Sequence, residues 1–261
     1  MKLISYFCFT FFLYRFGFTQ NETSVLQEQM SVAPLAAGCQ LENTTLGGID
    51  FVINQTWKGD PVDHDPFLFQ MEWFSKNNSG KSPKHGVKMF AQGPFFNDPP
   101  APKEPAAGGY LANLWNYECI EVFFANDKDQ YLEVEIGPHG HWLVILLHGQ
   151  RKAFNLGQNL DIVVQNTFEG WNWRSVFEIP LAYFPPNITK FNAYAIHGSG
   201  DDRHYEALYP VTDGSEQEPD FHRLQYFKPI DIQRIIPEGF NDRSFNDMLY
   251  GNLWESAGQQ S

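Results

Sequence analysis

The sequence predicts an all-β fold, an antiparallel sandwich or barrel with few short helices. From Gly48 onward, short apolar runs alternate with clusters of Gly, Pro, Asn and Asp, the punctuation of strands and turns. Within several runs the apolar residues recur at every second position, while sustained helical periodicity is hard to find. Roughly ten short strands at close, irregular spacing fit a sandwich or a barrel.

The elements follow in order. IDFVINQTW (49–57) is rich in β-branched and aromatic residues, GDPVDHDP breaks it, and FLFQMEWF (67–74) is a second strand. KNNSGKSPKHG (76–86) reads as a polar loop before VKMFAQGPFF (87–96), and the proline-rich NDPPAPKEPAAGG (97–109) excludes regular structure. CIEVFFA (119–125), QYLEVEIG (130–137) and HWLVILLHG (141–149) come next, then LDIVVQNTF (160–168), WRSVFEIP (173–180), FNAYAIHG (191–198) and YEALYPV (205–211). LAYF (181–184) suits one helical turn, and 231–252 suits a short helix.

The opening segment carries Lys2 and then a 12-residue apolar run from Leu3 to Tyr14. That is short for a bilayer span and fits a secretory signal peptide over 1–19. Residues 20–48 read as a flexible arm, 49–231 as the β domain and 232–261 as a C-terminal extension. Asn-x-Ser/Thr sequons at Asn21, Asn43, Asn54, Asn77 and Asn187 support passage through a secretory pathway. The expected location is therefore extracellular, with no membrane insertion. Loss of 1–19 removes Lys2 and Arg15 and no acid, taking the net charge from −13 to −15. Such a chain repels nucleic acid, whereas cations, mineral and neutral ligands suit it. Cys8 would leave with the signal, so Cys39 and Cys119 could pair in an oxidising compartment.

The acids and histidines of NLWNYECIEVFFANDKDQYLEVEIGPHGHWLVILL are the first candidates for chemistry. In QYLEVEI, Leu132, Val134 and Ile136 alternate with Tyr131, Glu133 and Glu135, which puts both glutamates on one face. The expectation is a solvated polar face; the alternative is a carboxyl pair at glycosidase spacing. Glu118 and Glu121 have opposite parity and share a face only if the strand begins after Glu118. GPHG predicts a tight reversal with His139 at its tip, and HWLVILL is apolar on both faces, as in a strand covered on both sides or one packed under a loop. His139 and His141 form an H-x-H that could chelate zinc or copper. His64, His197, His204 and His222 compete for the remaining ligand positions, and nothing in the sequence singles one out. Asp60, Asp63 and Asp65 are calcium candidates, without the glycine and terminal glutamate of an EF-hand loop. No G-x-S-x-G, H-E-x-x-H, P-loop or G-x-G-x-x-G occurs. Aromatics form 16% of the chain, enough to fill a core and still leave a ring for a binding surface. Trp57, Trp115, Tyr117, Trp142, Trp171 and Trp173 could stack on sugar rings.

Several long segments carry a resemblance: WKGDPVDHDP (57–66), GPFFNDPPAP (93–102), LWNYECIEVFF (114–124), QYLEVEIGPHG (130–140), YFPPNITKFNAYAIHGS (183–199), RHYEALYPV (203–211) and PDFHRLQYF (219–227). Together, over about 51–231, they resemble the family of the human chromosome 4 open reading frame 33 protein, which brings no established activity or catalytic residues with it. The order LW-x-x-E-x-x-EVFF, Y-x-EVEI-x-P-x-G, W-x-x-x-FEIPL and DFHRLQYF is similar, more distantly, to family 9 carbohydrate-binding modules. That resemblance implies an antiparallel β-sandwich, sugar binding between aromatic rings in some members and structural calcium in others. The signal-like start, the arm before 49 and the polar loop near 76–86 depart from the first family.

The expected function is non-catalytic recognition of a glycan or glycoconjugate, with no cofactor beyond a structural calcium. Its expected ligand residues are Trp115, Tyr117, Glu121, Glu135, His139 and Trp142. The alternatives are an acidic matrix protein that binds calcium or mineral, and a glycosidase-like enzyme using Glu133 and Glu135.

Overall fold

Alternating side chains and turn residues produce twelve strands among the residues that the computed structural model describes, which are 47–76, 85–103, 108–215, 217–238 and 252–258. The chain divides after Glu42, and all described residues belong to the second unit. The expected signal segment, all but the last two residues of the arm, Asn21, Asn43, Asn77 and Cys39 lie outside the described residues.

The strands are β1 (Ile49–Ile53), β2 (Phe67–Ser75), β3 (His85–Pro94), β4 (Cys119–Ala125), β5 (Gln130–Ile136), β6 (Trp142–His148), β7 (Ala153–Asn155), β8 (Val163–Glu169), β9 (Asn172–Pro180), β10 (Lys190–His197), β11 (His204–Ala207) and β12 (Lys228–Pro229). They form two antiparallel sheets. One runs β1-β2-β3-β9-β8; the other runs β11-β10-β4-β5-β6-β7, with β12 beside β10. The two layers make a β-sandwich. Among the described residues the helical elements are 3-10 turns alone, at Leu114–Asn116, Leu181–Tyr183, Gly200–Asp202, Leu224–Tyr226, Ile232–Arg234 and Leu253–Gly258. The turn expected at 181–184 is one of these. The short β7 and β12 escaped the sequence pattern because two or three residues are too few to show a period.

The inner faces meet in one core. Phe67, Phe69, Met71 and Trp73 of β2, with Val87 and Met89 of β3 and Phe177 and Ile179 of β9, come from the first sheet. Ile120, Val122 and Phe124 of β4, with Leu132, Val134 and Ile136 of β5 and Val144 and Leu146 of β6, come from the second. The core continues past residue 231, where Ile232, Ile235, Ile236 and Trp254 are buried in it.

The second sheet has another buried face. Phe123, Tyr131, Leu143, Ile145, Leu147, Tyr194 and Ile196 point outward from the sandwich, yet are covered by Trp57, Leu111, Leu114, Val211, Phe221, Leu224 and Phe227 from connecting segments. β6 is therefore covered on both sides, and six of its seven residues are buried. The GPHG reversal forms as expected: the Gly137 N–H donates to the His141 carbonyl at 2.8 Å, and Gly140 takes a φ of 82° that suits glycine.

Candidate functional site

The covered face of the second sheet holds a cavity of about 690 Å³. Its floor comes from alternate residues of adjacent strands: Glu121 on β4, Glu133 on β5, Ile145 and Leu147 on β6, and Ile196 on β10. Period two dictates this set, because the intervening residues fill the inter-sheet core. The walls come from loops. Trp115 and Asn116 line one side, Arg151 and Leu156 another, and Gly198, Arg203, Tyr205, Phe221 and His222 complete the rim.

Arg203 holds this rim together. Its guanidinium donates to the carbonyls of Gly198 at 2.9 Å, Trp115 at 2.5 Å and Tyr117 at 3.3 Å. The β10–β11 loop can bring it there because Gly198 takes a φ of 79°, and a Cβ at that position would lie 1.9 Å from the Asp202 carbonyl oxygen. On the far side, Arg151 pairs with Asp220 at 2.7 Å. The Arg151 backbone N–H donates to the Tyr131 hydroxyl, which also contacts His222 Nδ1, both at 2.9 Å. Both arginines are thus committed to protein partners.

The glutamates are where the structure departs from expectation. Glu133 and Glu135 form no solvated polar face: they are 3% and 0% exposed, and Glu121 is 2% exposed. Period two placed them on one face correctly; the covering loops bury that face. Glu121 stands directly across from Glu135, and Phe123 across from Glu133. Burial, reinforced by Glu133 at Glu121 and by both Glu121 and Glu133 at Glu135, holds the two carboxyls well above the usual carboxylate range. Burial likewise raises Glu133 to about 7. Glu133 Oε2 is buried without a donor. Neither Glu135 oxygen has a well-formed hydrogen bond, although the Trp115 amide and Glu133 lie close enough to act on its charge. Cys119 is a free, buried thiol 3.8 Å from Glu121 Oε1, and burial, then Glu121, pushes it up; Cys39 lies outside the described residues. Since β4 begins after Glu118, that residue turns elsewhere and accepts the backbone N–H groups of Phe96 at 3.1 Å and Asp98 at 3.3 Å. Burial still raises it to about 7.

Of the expected ligand residues, Trp115 and Glu121 line the cavity, whereas Glu135, across from Glu121 on β5, is fully buried beneath it and does not line it. Tyr117 contributes its carbonyl to Arg203. Trp142 points instead into the inter-sheet core at 4% exposure. His139 packs at the hairpin tip against Phe95 and Phe168, at 5.6 and 5.5 Å between ring centroids. Trp57 and Trp173 are buried, and Trp171 is 85% exposed between β8 and β9 of the other sheet. Asp60, Asp63 and Asp65 are exposed. Among the described residues, neither they nor His139 and His141 belong to a group of three donors placed to share a metal ion. Asn54 and Asn187 are both exposed. Arg151, Arg203, Tyr205 and Phe221 escaped the sequence reading as site residues, and His222 entered it only as one of several competing metal ligands. Their signal was the resemblance itself, since RHYEALYPV and PDFHRLQYF carry four of them.

The arrangement offers apolar and aromatic walls over a floor of two carboxyls that burial pushes toward the protonated form, in which a carboxyl both donates and accepts hydrogen bonds. No helix among the described residues is long and apolar enough to cross a membrane. No protein-family model matches the chain. Among solved structures it is similar to an inferred carbohydrate-binding protein of Bacteroides uniformis, at 15% identity and a TM-score of 0.49, over 70% of this chain and 85% of that one. A family 9 carbohydrate-binding module of Caldicellulosiruptor kristjanssonii in complex with glucose is similar at 12% identity and a TM-score of 0.36, over 63% of this chain and 75% of that one. Both likenesses are too distant to bear on function. Sequence relatives are much nearer. The UPF0462 protein C4orf33 homolog of Mus musculus is 47% identical over 196 residues, 73% of this chain and 95% of that protein. The Homo sapiens UPF0462 protein C4orf33 is 45% identical over 195 residues, 73% of this chain and 92% of that protein. Identity at this level across nearly the whole length of the relatives makes the chain a member of the UPF0462 (C4orf33) family.

Proposed function

We propose that the chain binds a neutral, hydroxyl-rich ligand of the carbohydrate class in the cavity on the second sheet, without turning it over. The observation that carries this is the floor: Glu121 and Glu133 line the cavity while buried to 2% and 3% exposure. Carboxyls kept near neutral by burial suit hydroxyl partners better than cations. Trp115, 40% exposed, Tyr205 and Phe221 supply faces for the apolar side of a sugar ring. The volume falls in the range of small-molecule sites. Binding is favoured over hydrolysis because both lining carboxyls lie on the floor, whereas glycosidases flank the scissile bond with theirs.

The test is a glycan array with pull-down on insoluble polysaccharides. Folded wild-type chain is expected to be retained on at least one ligand. Trp115→Ala or Glu133→Gln abolishes retention, and Trp171→Ala on the other sheet leaves it intact. No retention on any ligand, or loss with Trp171→Ala alone, overturns the proposal. Secretion belongs to the same proposal, supported by the signal-like start and by exposed Asn54 and Asn187. Expression of the full chain in secreting cells should yield protein in the medium whose mobility shifts on N-glycan removal. Unglycosylated chain retained in the cytosol would contradict it.

A second reading, glycoside hydrolysis, has one observation in its favour: Glu133, raised to about 7 by burial, stands beside other carboxyls. Release of product from any bound glycan, abolished in Glu133→Gln, would establish it in place of simple binding.

A further inference from the structure

A second cluster of chemically capable side chains lies on the opposite face of the same sheet, at the end of β10 and β11. His197 ends β10, Glu206 lies on β11 and His64 comes from the loop between β1 and β2. His197 and Glu206 are buried at 4% and 1% exposure, while the His64 side chain keeps 16% exposure and so a route to solvent. Glu206 Oε1 lies 3.0 Å from His64 Nε2 and 2.7 Å from His197 Nε2. The three donor atoms all lie within 4.8 Å of one another.

Three details go beyond a hydrogen-bonded cluster. His64 Nδ1 lies 2.9 Å from the Asp65 carbonyl oxygen. A carbonyl only accepts, so Nδ1 donates to it, and the 3.0 Å contact to Glu206 Oε1 places a second proton on Nε2; a cation that displaces that proton would meet an Nε2 lone pair already aimed at the cluster. This is the outer-shell arrangement typical of a metal-bound histidine, whose other nitrogen donates to a carbonyl. Glu206 Oε2 is buried without a donor, so the carboxylate has capacity that its two histidine contacts leave unused. The rings are also preset. Phe96 stacks on His197 at 3.7 Å between centroids and 4° between planes, and His204 stacks on it at 4.9 Å. Phe96 also meets His64 edge-on at 5.1 Å.

We propose that His64, His197 and Glu206 form a binding site for a divalent transition metal of the zinc class, with at least one coordination position left to water or a ligand oxygen. Two imidazoles and one carboxylate select zinc or iron over calcium or magnesium, which prefer all-oxygen sets. Bonds of about 2.0–2.1 Å in a tetrahedral site would separate neighbouring donors by roughly 3.3 Å. The two contacts to Glu206 would open from 3.0 and 2.7 Å by about 0.3 and 0.6 Å. The ion would tie the β1–β2 loop to the β10–β11 hairpin. The candidate zinc pair His139 and His141 plays no part; the sequence named His64 and His197 only as supplementary donors, because 133 residues of separation hide their adjacency.

The test uses the tag-free chain, stripped with chelator and checked for folding by circular dichroism, titrated calorimetrically with Zn²⁺. One ion per chain is expected at sub-micromolar affinity, weakened at least 100-fold in His64→Ala. That residue lies in a part-exposed loop, so its truncation spares the fold. Cys119→Ser removes the thiol of the other three-donor group, Cys119 with Glu121 and Glu135, and should leave affinity unchanged. Co²⁺ added to the wild type should give visible bands of a four- or five-coordinate ion, absent in His64→Ala. No stoichiometric binding, affinity untouched by His64→Ala, or affinity that follows Cys119 would overturn the proposal.

Discussion

The two sheets present outward faces that look alike in sequence and differ in physics. On the first sheet, Glu72 stands opposite Lys88, which stands opposite Glu178 on β9. Lys88 reaches Glu72 at 3.8 Å, Lys76 pairs with Glu178, and Arg174 donates to Gln92 at 2.9 Å. These are partly solvated cross-strand pairs with modest energies. On the second sheet, Glu121, Glu133 and Glu135 occupy the same kind of alternating positions, but loops roof the face and cations sit only at its rim. Alternation decides which face a side chain takes. What covers that face decides whether a carboxylate is solvated decoration or a buried group held near neutrality.

The sharpest way to break this comparison is to truncate one aromatic from each outward face. Phe123→Ala, fully buried on β4, should destabilise the chain by about 3–5 kcal/mol. Phe90→Ala on β3 loses partial burial and a Lys88 contact at 4.9 Å, and should cost only about 1 kcal/mol. Urea denaturation of both variants checks the pair; equal losses would mean that the second face is not a core.

The next effect is electrostatic. Burial raises Glu133 from 4.5 to about 7, so the folded chain keeps a proton that the unfolded chain releases. The resulting stability is present below pH 4.5 and is lost as pH climbs through about 7. Glu118, raised over the same interval, adds to the slope. Glu133→Gln should therefore be stabilised relative to wild type by about 1–3 kcal/mol at pH 8 and by little at pH 4. Melting curves across pH 4–8 read this directly, and a pH-independent difference would contradict it. Arg203→Met removes charged hydrogen bonds to three loop carbonyls and should cost about 1–2 kcal/mol. It should also weaken ligand retention, because Trp115 loses its anchor. Smallest of all, Glu72→Gln on the solvated face should change stability by no more than about 0.5 kcal/mol.

Much of this was legible in the sequence. The all-β class, the GPHG hairpin, the shared face of Glu133 and Glu135 and the double covering of β6 all follow from period two and turn chemistry, which are local. The burial of those glutamates was not legible, because the roof over them comes from Leu111, Leu114, Phe221 and Leu224, at long and unequal distances along the chain. Trp142 illustrates the same limit. It stands among the rings expected to meet a sugar, but β6 begins at that residue and its parity turns it into the core. Trp115 was separable from the other tryptophans only once the Arg203 contact fixed its loop.

The most direct test of the account is methyl NMR of the chain titrated with a saccharide selected from the binding panel. The account predicts shifts concentrated at Ile145, Leu147, Leu156 and Ile196, which line the cavity, with Leu68 and Val176 on the other outward face unmoved. Shifts centred on Val176 and the Trp171 hairpin, or no saturable shift with any saccharide, would contradict it.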